Sequence, residues 1–166
     1  AMSRYSGLWV GFKFVTMTID SSASVNIEPS RIEIVAPNDF ALPDDGVNIR
    51  WPDTALGAEV RMTDHKLPAA QAYVRANRLD RMVYDSPDAR IGIVTAGKSY
   101  LDVMQALEDL GIDAELASAM GLRVYKLALT WPIEPEASLT AMTFGWRASS
   151  ATVAGTMLHA VRPGTL

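Results

Sequence analysis

The chain has 166 residues, 49% of them hydrophobic and 20% charged, a composition typical of one folded domain with a core and neither disordered nor fibrous. A formal net charge of -4, without a basic patch that would neutralise phosphates, argues against a nucleic-acid partner. No apolar stretch approaches the roughly 18 residues that span a bilayer, and no signal peptide is visible, so we expect a cytoplasmic protein without membrane contact. The absence of cysteine excludes disulfides, thiolate zinc sites and thiolate-held iron–sulfur clusters from this chain.

The first predicted elements are a helix and a strand. Apolar residues at spacings of three and four favour a helix within residues 3–24, although the residues around Trp9 are also compatible with a strand. Between Pro29 and Pro37 apolar and charged residues alternate, and this pattern predicts a short strand within residues 25–37.

A linker and two helices come next. Residues 38–54 are rich in turn-forming residues and predict a linker that contributes little to the core. Helical spacing returns in residues 56–66 and again in residues 68–79, and Pro68 occupies a position that the first turn of a helix allows. We therefore predict two helices joined by a break.

A strand, a tight turn and a helix follow in the second half of the chain. The β-branched run Arg90 to Thr95 predicts the strand, and Gly97 predicts the turn. Ser99 is a good N-cap residue, and Asp102 follows it at the spacing of a capping box. The helix should therefore begin just after Ser99.

That helix is predicted to end at Gly111 and to be followed by a shorter helix, 115–120, and by a second strand, 122–129. A strand, a helical crossover and a strand within about 40 residues predict a right-handed βαβ unit with parallel strands. The predicted fold class is therefore α/β. The apolar face assigned to the longer helix consists of Leu101, Met104, Leu107 and Leu110.

Four stretches of the chain, in this order, are similar to the fused-chain indolepyruvate:ferredoxin oxidoreductases. The similarity extends to Glu136, and the residues after it depart from the family pattern because they contain no acidic side chain. The four stretches are Ser3-Arg4-Tyr5-Ser6-Gly7, Asn48-Ile49-Arg50-Trp51-Pro52-Asp53, Gly92-Ile93-Val94-Thr95-Ala96-Gly97-Lys98-Ser99-Tyr100-Leu101-Asp102, and Arg123-Val124-Tyr125-Lys126 together with Trp131-Pro132-Ile133-Glu134-Pro135-Glu136.

The resemblance implies three segments of a larger enzyme. Residues 1–30 would be the end of a pyrimidine-binding domain or a lead-in segment, and residues 31–136 a domain like the C-terminal domain of transketolase. That domain would be Rossmann-like, with a parallel sheet between flanking helices in three layers. Residues 137–166 would be an atypical tail, for which a frame shift, a truncated gene product and an artificially introduced chain end all stay open.

The resemblance also implies a reaction that other domains carry out. The parent enzyme would oxidatively decarboxylate arylpyruvates to the acyl-CoA and pass two electrons to ferredoxin, using thiamine diphosphate with magnesium and [4Fe-4S] clusters. This chain would hold no cofactor and no catalytic residue. Its partners would be the neighbouring domains, with coenzyme A and ferredoxin as partners of the parent, and a homodimer is left open.

A second hypothesis makes the chain an independent nucleotide- or anion-binding protein. Residues 92–99 formally satisfy the P-loop pattern, whose backbone amides cradle phosphates. The pattern is misplaced, however, because Ile93 and Val94 are needed by the strand, so an ordinary strand, turn and helix is preferred. Gly97, Lys98 and Ser99 stay as weak candidates for an anion site at the start of the helix.

The remaining polar candidates favour structural roles. His65 and His159 have no second ligand at metal-binding spacing and are interpreted as solvated or packed side chains. Glu134 and Glu136 follow the second strand, but the prolines around them favour a stiff turn that packs against a neighbouring domain. Of the four tryptophans and eight methionines, most are expected in the core, although some mark contact surfaces.

Overall fold

The computed structural model describes residues 1–14, 16, 20, 22 and 24–136. By its contacts the chain divides into two compact units, Ala1–Arg78 and Leu79–Leu166. We call them the helical unit and the sheet unit. The boundaries predicted after residues 30 and 136 stay predictions.

The helical unit is built on one long helical run and a short N-terminal helix that packs on it. The rings of Tyr5 and Tyr73 meet with centroids 6.0 Å apart. Small side chains dominate its interior, which allows the two helices to approach closely. The helical segments are α1 Met2–Ser6, a 3-10 turn Pro29–Arg31, α2 Ala55–Arg61, a π-helical turn Met62–Lys66 and α3 Leu67–Ala76. The buried apolar residues are Val47, Ala69, Ala70, Ala72, Tyr73 and Val74.

The helix predicted within residues 3–24 is confirmed for Met2–Ser6 and wrong for residues 8–14. Helix α1 ends at Gly7, which has a φ of 68° and donates its amide hydrogen to the Ser3 carbonyl at 3.0 Å. A left-handed residue at this position terminates a helix. Residues 8–14 are not helical, and Trp9 and Phe12 are 93% and 77% exposed, so their periodic spacing does not mark a buried face.

The strand predicted within residues 25–37 is also wrong, because none of the described strands pairs with the backbone there. Ile32 has extended dihedral angles, but Ile32 and Ile34 are both exposed. The Asn77 side-chain amide accepts a hydrogen bond from Val35 N at 2.9 Å and donates one to Val35 O at 2.8 Å. The Asn77 side chain thus makes the two backbone hydrogen bonds at Val35 that a neighbouring strand would otherwise make.

The two helices predicted after the linker are confirmed in position, but they are continuous. The π-helical turn joins α2 to α3, and the Leu67 amide donates to the Met62 carbonyl, five residues back. Pro68 follows directly, as the second residue of α3. A proline lacks an amide hydrogen and its ring clashes with the carbonyl four residues earlier, so a locally widened helix accommodates it. The predicted linker contributes one buried side chain, Val47.

In residues 79–136, the described part of the sheet unit, three strands form one sheet and helices pack on it. The α/β class is confirmed, but the sheet is mixed: β2 pairs with β3 in parallel, whereas β1 pairs with β3 in antiparallel orientation. The predicted pair of parallel strands joined by a helical crossover is confirmed by β2 and β3, and the parallel sheet is seen only in part because the run at residues 81–84, which was not predicted as a strand, pairs antiparallel. The elements are β1 Arg81–Tyr84, β2 Ile91–Ala96, α4 Lys98–Asp109, α5 Ala114–Met120 and β3 Leu122–Leu127, and the strand order is β1-β3-β2.

The core of the sheet unit lies between α4, α5 and the sheet. Leu101 and Leu110 were assigned to the buried face of α4, but they are 63% and 71% exposed. They are nine residues apart, and at about 100° per residue they lie on opposite sides of the helix axis. Leu107 lies between these two sides, on the face that packs on the sheet, and is buried. The core residues are Leu107, Ala117, Leu122 and Val124, with Val83, Tyr84, Ile93, Val103, Met104 and Ile112 packed against them.

Helix α5 and strand β3 are confirmed, with clear reasons for where they begin and end. The Asp113 carboxylate accepts the Leu116 amide hydrogen at 2.8 Å and caps the start of α5. Gly121 ends the helix with a φ of 76°, and a Cβ there would lie 2.7 Å from the Asp88 carbonyl oxygen. None of the helices in the described part of the chain combines the length and hydrophobicity that crossing a bilayer requires.

Candidate functional site

The turn between β2 and α4 holds the three residues predicted as anion-site candidates. Gly97 is the N-cap of α4, with a φ of 55° and a ψ of -131°, and no side chain caps the helix. Ser99 therefore lies inside the first turn, so its predicted N-cap role is wrong. The helix begins two residues earlier because Gly97 adopts a conformation that residues with a Cβ rarely tolerate.

The Lys98 side chain is engaged within its own helix. Its ammonium group forms an ion pair with the Asp102 carboxylate, four residues later, and both side chains are more than half exposed. The capping box predicted for Asp102 is therefore replaced by a helical ion pair, which is a common arrangement at this spacing. An anion at the turn would compete with Asp102 for Lys98.

The P-loop pattern is not matched by a P-loop geometry. Gly92 lies inside β2, where it is in register with Arg123 of β3, and Ile93 and Val94 continue the same pairing. A phosphate-binding loop requires its first glycine after the strand has ended. The interpretation as strand, turn and helix is therefore confirmed.

A second lysine lies near this turn and was not singled out from the sequence. Lys126, near the end of β3, is in register with Thr95 and places its ammonium nitrogen 4.4 Å from the centroid of the Tyr100 ring. Thr95 is fully buried, and no partner for its hydroxyl is found in the described part of the chain. The strand pairing brings these residues together, which no local spacing would reveal.

An acidic cluster, formed by Asp80, Tyr125 and Glu134, lies at the carboxyl end of β3. Asp80 accepts hydrogen bonds from the amides of Ala128 at 2.7 Å and Leu129 at 3.3 Å, which ends strand pairing at this point. Glu134 is fully buried and accepts a hydrogen bond from the backbone amide two residues later at 3.3 Å. The Tyr125 hydroxyl and Asp80 Oδ2 are inaccessible to solvent and have no partner among residues 79–136.

The electrostatics of the acidic cluster raise the pKa of two of its members, Tyr125 and Asp80. Burial raises the pKa of Tyr125, and the charges of Asp80 and Glu134 raise it further. Burial also raises the pKa of Asp80, against the opposing effect of the hydrogen bonds from Ala128 and Leu129, while the charge of Glu134 raises it. Tyr125 and Asp80 therefore hold their protons to a higher pH than the same side chains do in water.

An ion pair between a buried arginine and an exposed aspartate lies at the other end of β3. Arg123, the second residue of β3, has a side chain only 6% exposed, and its Nε lies 2.5 Å from Asp85 Oδ1. Asp85 directly follows β1, and its Oδ1 also accepts the Ser86 amide hydrogen at 2.8 Å. The pair joins β1 to β3.

The other polar candidates are distributed through the two units. His65 lies in the π-helical turn, His159 falls outside the described residues, and Glu136 is exposed. Within the described ranges no three His, Cys, Asp or Glu side chains are grouped so that they could hold a metal ion. The expectation that most tryptophans are core residues is wrong for all three that are described, which are exposed: Trp9, Trp51 and Trp131.

The cofactors implied by the resemblance do not fit the residues of this chain. A [4Fe-4S] cluster is held by thiolates, and the chain has no cysteine. The magnesium diphosphate of thiamine diphosphate requires oxygen ligands, whereas the carboxylates of Asp80 and Asp113 accept backbone amide hydrogens and that of Asp85 pairs with Arg123.

Comparison with known proteins agrees with the geometry of the sheet unit. Comparison with curated proteins and with solved structures gave no match. Residues 81–145, less than half of the chain, match the family model described as the indolepyruvate oxidoreductase domain. The match begins at the first residue of β1 and includes β1, β2, α4, α5 and β3. It therefore supports, for residues 81–145, the family that the sequence resembles.

Proposed function

We propose that the chain is a non-catalytic packing domain of an indolepyruvate oxidoreductase. The observation that carries the proposal is the exposure of its tryptophans. Trp9 and Trp51 in the helical unit are 93% and 95% exposed, and Trp131 in the sheet unit is 69% exposed. Exposed large aromatic side chains are enriched where another protein surface covers them. The exposed tryptophans are therefore assigned to contacts with neighbouring domains of the parent enzyme.

The roles of three polar side chains of the sheet unit support the non-catalytic part of the proposal. Asp80 holds the end of β3, Asp113 caps α5, and Arg123 joins two strands through Asp85. Catalytic groups, by contrast, need an accessible position from which they reach a substrate. These side chains are instead committed to the backbone or to each other.

We further propose the fused-chain context that the resemblance implies. In that context the parent oxidatively decarboxylates arylpyruvates to the acyl-CoA and passes electrons to ferredoxin, with thiamine diphosphate, magnesium and [4Fe-4S] clusters held by other domains. The zero cysteine count of this chain is compatible with this division of labour. The proposed location is the cytoplasm, where ferredoxin and coenzyme A are both at hand.

Two measurements test the proposal. An antibody raised against the purified chain should detect, in cells that make the protein, a polypeptide several times longer than 166 residues. The purified chain with indolepyruvate, coenzyme A, magnesium thiamine diphosphate and ferredoxin should produce no acyl-CoA. A complete indolepyruvate oxidoreductase in the same assay is the positive control. Thiamine-dependent ferredoxin reduction by the chain alone would contradict the non-catalytic assignment.

The alternative function, anion binding at Gly97, Lys98 and Ser99, has one observation in its favour. The first turn of α4 has neither a side-chain cap nor an acidic residue, which would suit an anion near the amides of Lys98 and Ser99, whereas the Tyr100 amide donates to the Gly97 carbonyl at 3.3 Å. Titration with ATP and magnesium, and separately with inorganic phosphate, tests it. Micromolar binding that is lost in Lys98→Ala and kept in Lys13→Ala, which removes an exposed lysine of the helical unit, would favour this function over packing alone.

A further inference from the structure

The Thr95 hydroxyl is a buried polar group without a hydrogen-bond partner among residues 79–136. Thr95 is fully buried, and its Oγ1 is inaccessible to solvent. Burial of a hydroxyl without a partner costs free energy, because the contact with water is lost and no hydrogen bond replaces it. A bound ion is one of the partners that such a group can acquire. Thr95 therefore marks a position at which a ligand would complete the hydrogen bonding.

This hydroxyl lies on the face of the sheet that α4 covers. Thr95 comes two residues after Ile93, so both side chains project from the same face of β2, and Ile93 packs against the core that contains Leu107 of α4. Thr95 is also in register with Lys126, whose ammonium group reaches the ring of Tyr100, the third residue of α4. Side chains opposite each other in adjacent strands share a face of the sheet. Thr95 therefore points toward the first turn of α4.

Two backbone amides and an ammonium group lie around the same turn. The amides of Lys98 and Ser99 are the first two of α4, so the helix offers them no acceptor, and none is found for them in the described part of the chain. The Lys98 ammonium group is paired with Asp102, whereas Lys126 contacts an aromatic ring and, among the described residues, no carboxylate. Amides at the start of a helix and a nearby ammonium group both stabilise an anion.

We propose that the β2–α4 turn binds a phosphate group, either free phosphate or the end of a phosphate monoester. Its donors are the amides of Lys98 and Ser99, the Thr95 hydroxyl and the Lys126 ammonium group. A phosphate group has several acceptor oxygens and a negative charge, so it matches a set of neutral donors together with one cation. Lys126 turns from the Tyr100 ring to the anion and thereby uncovers the hydroxyl of Thr95, its neighbour across the strands.

The proposal is separate from the packing role of the domain and rests on the alternative function, anion binding at this turn. It adds the chemical class of the ligand and the buried hydroxyl of Thr95. It also replaces the Lys98 side chain by Lys126 as the cation that binds, because Asp102 already neutralises Lys98.

Calorimetric titration of the full chain with inorganic phosphate tests the proposal, and we expect a Kd of about 1 mM or lower. Thr95→Val keeps the shape of the side chain and removes the hydroxyl, so the affinity for phosphate should fall about tenfold. The same variant should be at least as stable in urea as the unmodified chain, because the hydroxyl has no described partner. Thr95→Ser keeps the hydroxyl and should retain the affinity. A purely structural role of Thr95 would not give this combination.

The lysines identify the cation that binds. Lys126→Met keeps the long apolar stem and removes the charge, so the affinity for phosphate should again fall about tenfold. Lys98→Met should weaken binding less than Lys126→Met does. Lys13→Met, at an exposed position of the helical unit, is the matched control and should leave the affinity unchanged. In NMR spectra, phosphate should shift the Tyr100 ring signals of the unmodified chain, but not those of Lys126→Met.

A parallel titration with phenyl phosphate distinguishes the two sources of the phosphate group. Tighter binding of phenyl phosphate assigns the ligand to the monoesters, and tighter binding of inorganic phosphate assigns it to the free ion. Failure to bind either one overturns the proposal and leaves the packing role untouched. Binding that is lost in Lys98→Met and kept in Lys126→Met also overturns it, although the alternative function then stands. Circular dichroism confirms that each variant folds, and the lysine variants decide if Thr95→Val does not.

Discussion

Replacing Leu107 by alanine tests the packing of α4 on the sheet. Leu107 is only 6% exposed and contacts the core of the sheet unit, whereas Leu101 on the same helix is 63% exposed. The sequence assigned both leucines to one apolar face. The two positions therefore distinguish the observed face from the predicted one.

The expected magnitude follows from the buried surface. Leu107→Ala removes three carbon atoms, and at about 0.8 kcal/mol for each buried carbon the transfer part is about 2.4 kcal/mol. Incomplete collapse of the cavity raises the total loss of unfolding free energy to about 3 kcal/mol. Leu101→Ala should change that free energy by less than about 0.5 kcal/mol, because the side chain is already in water.

The assay must report on the sheet unit alone, since two units need not unfold together. Hydrogen exchange of the β3 amides gives their opening free energy, and urea unfolding followed by circular dichroism gives the global value. If Leu101→Ala destabilises β3 as much as Leu107→Ala does, the assignment of the buried face of α4 is refuted. The same result would support the apolar face predicted from the sequence, whose leucine and methionine residues are three positions apart.

Three further predictions concern the acidic cluster and the β2–α4 turn. Because folding raises the pKa of Asp80, the folded chain binds its proton more tightly, and this stabilisation is lost as the pH rises from the ordinary aspartate value through the raised one. Asp80→Asn should therefore make the urea midpoint depend less on pH over that acidic range. An unchanged dependence on pH would contradict the burial of Asp80. Tyr125→Phe removes a buried hydroxyl without a described partner and should raise the unfolding free energy by about 1 kcal/mol, and more above pH 10, in urea titrations. Gly97→Ala should lower the free energy of unfolding by about 1–3 kcal/mol, because the φ of Gly97 is positive. Gly92→Ala should leave that free energy nearly unchanged, because Gly92 has equal space for a Cβ and no positive φ. Equal shifts of the unfolding temperature in the two variants would contradict the described turn.

Local patterns predicted the elements whose causes are local. The β-branched run of β2, the glycine at the end of α5 and the short helix before β3 were all placed correctly from the sequence. Each depends on the conformational preferences of a few adjacent residues. Boundaries were less certain, as the early start of α4 at Gly97 shows, because a backbone conformation can replace a side-chain cap.

Elements and sites that depend on partners were the ones missed. Apolar and charged residues alternate in residues 25–37 as in a strand, but none of the described strands pairs with them. The short run of β1, which begins with a charged residue, forms a strand because it pairs with β3. The acidic cluster likewise unites Asp80, before β1, with Tyr125 on β3 and Glu134 after it. Residues so far apart are brought together only by the sheet, so no motif search along the chain would find them.

The tryptophans extend the same reasoning beyond the chain. Apolar composition predicts burial, but it does not say whether a side chain is buried by its own domain or by another. Trp51 and Trp131 lie in stretches that resemble the oxidoreductase family, and both are exposed in their own units. The packing proposal assigns the burial of these tryptophans to neighbouring domains. On that proposal, composition correctly predicts that the side chains avoid water, but it does not predict which domain covers them.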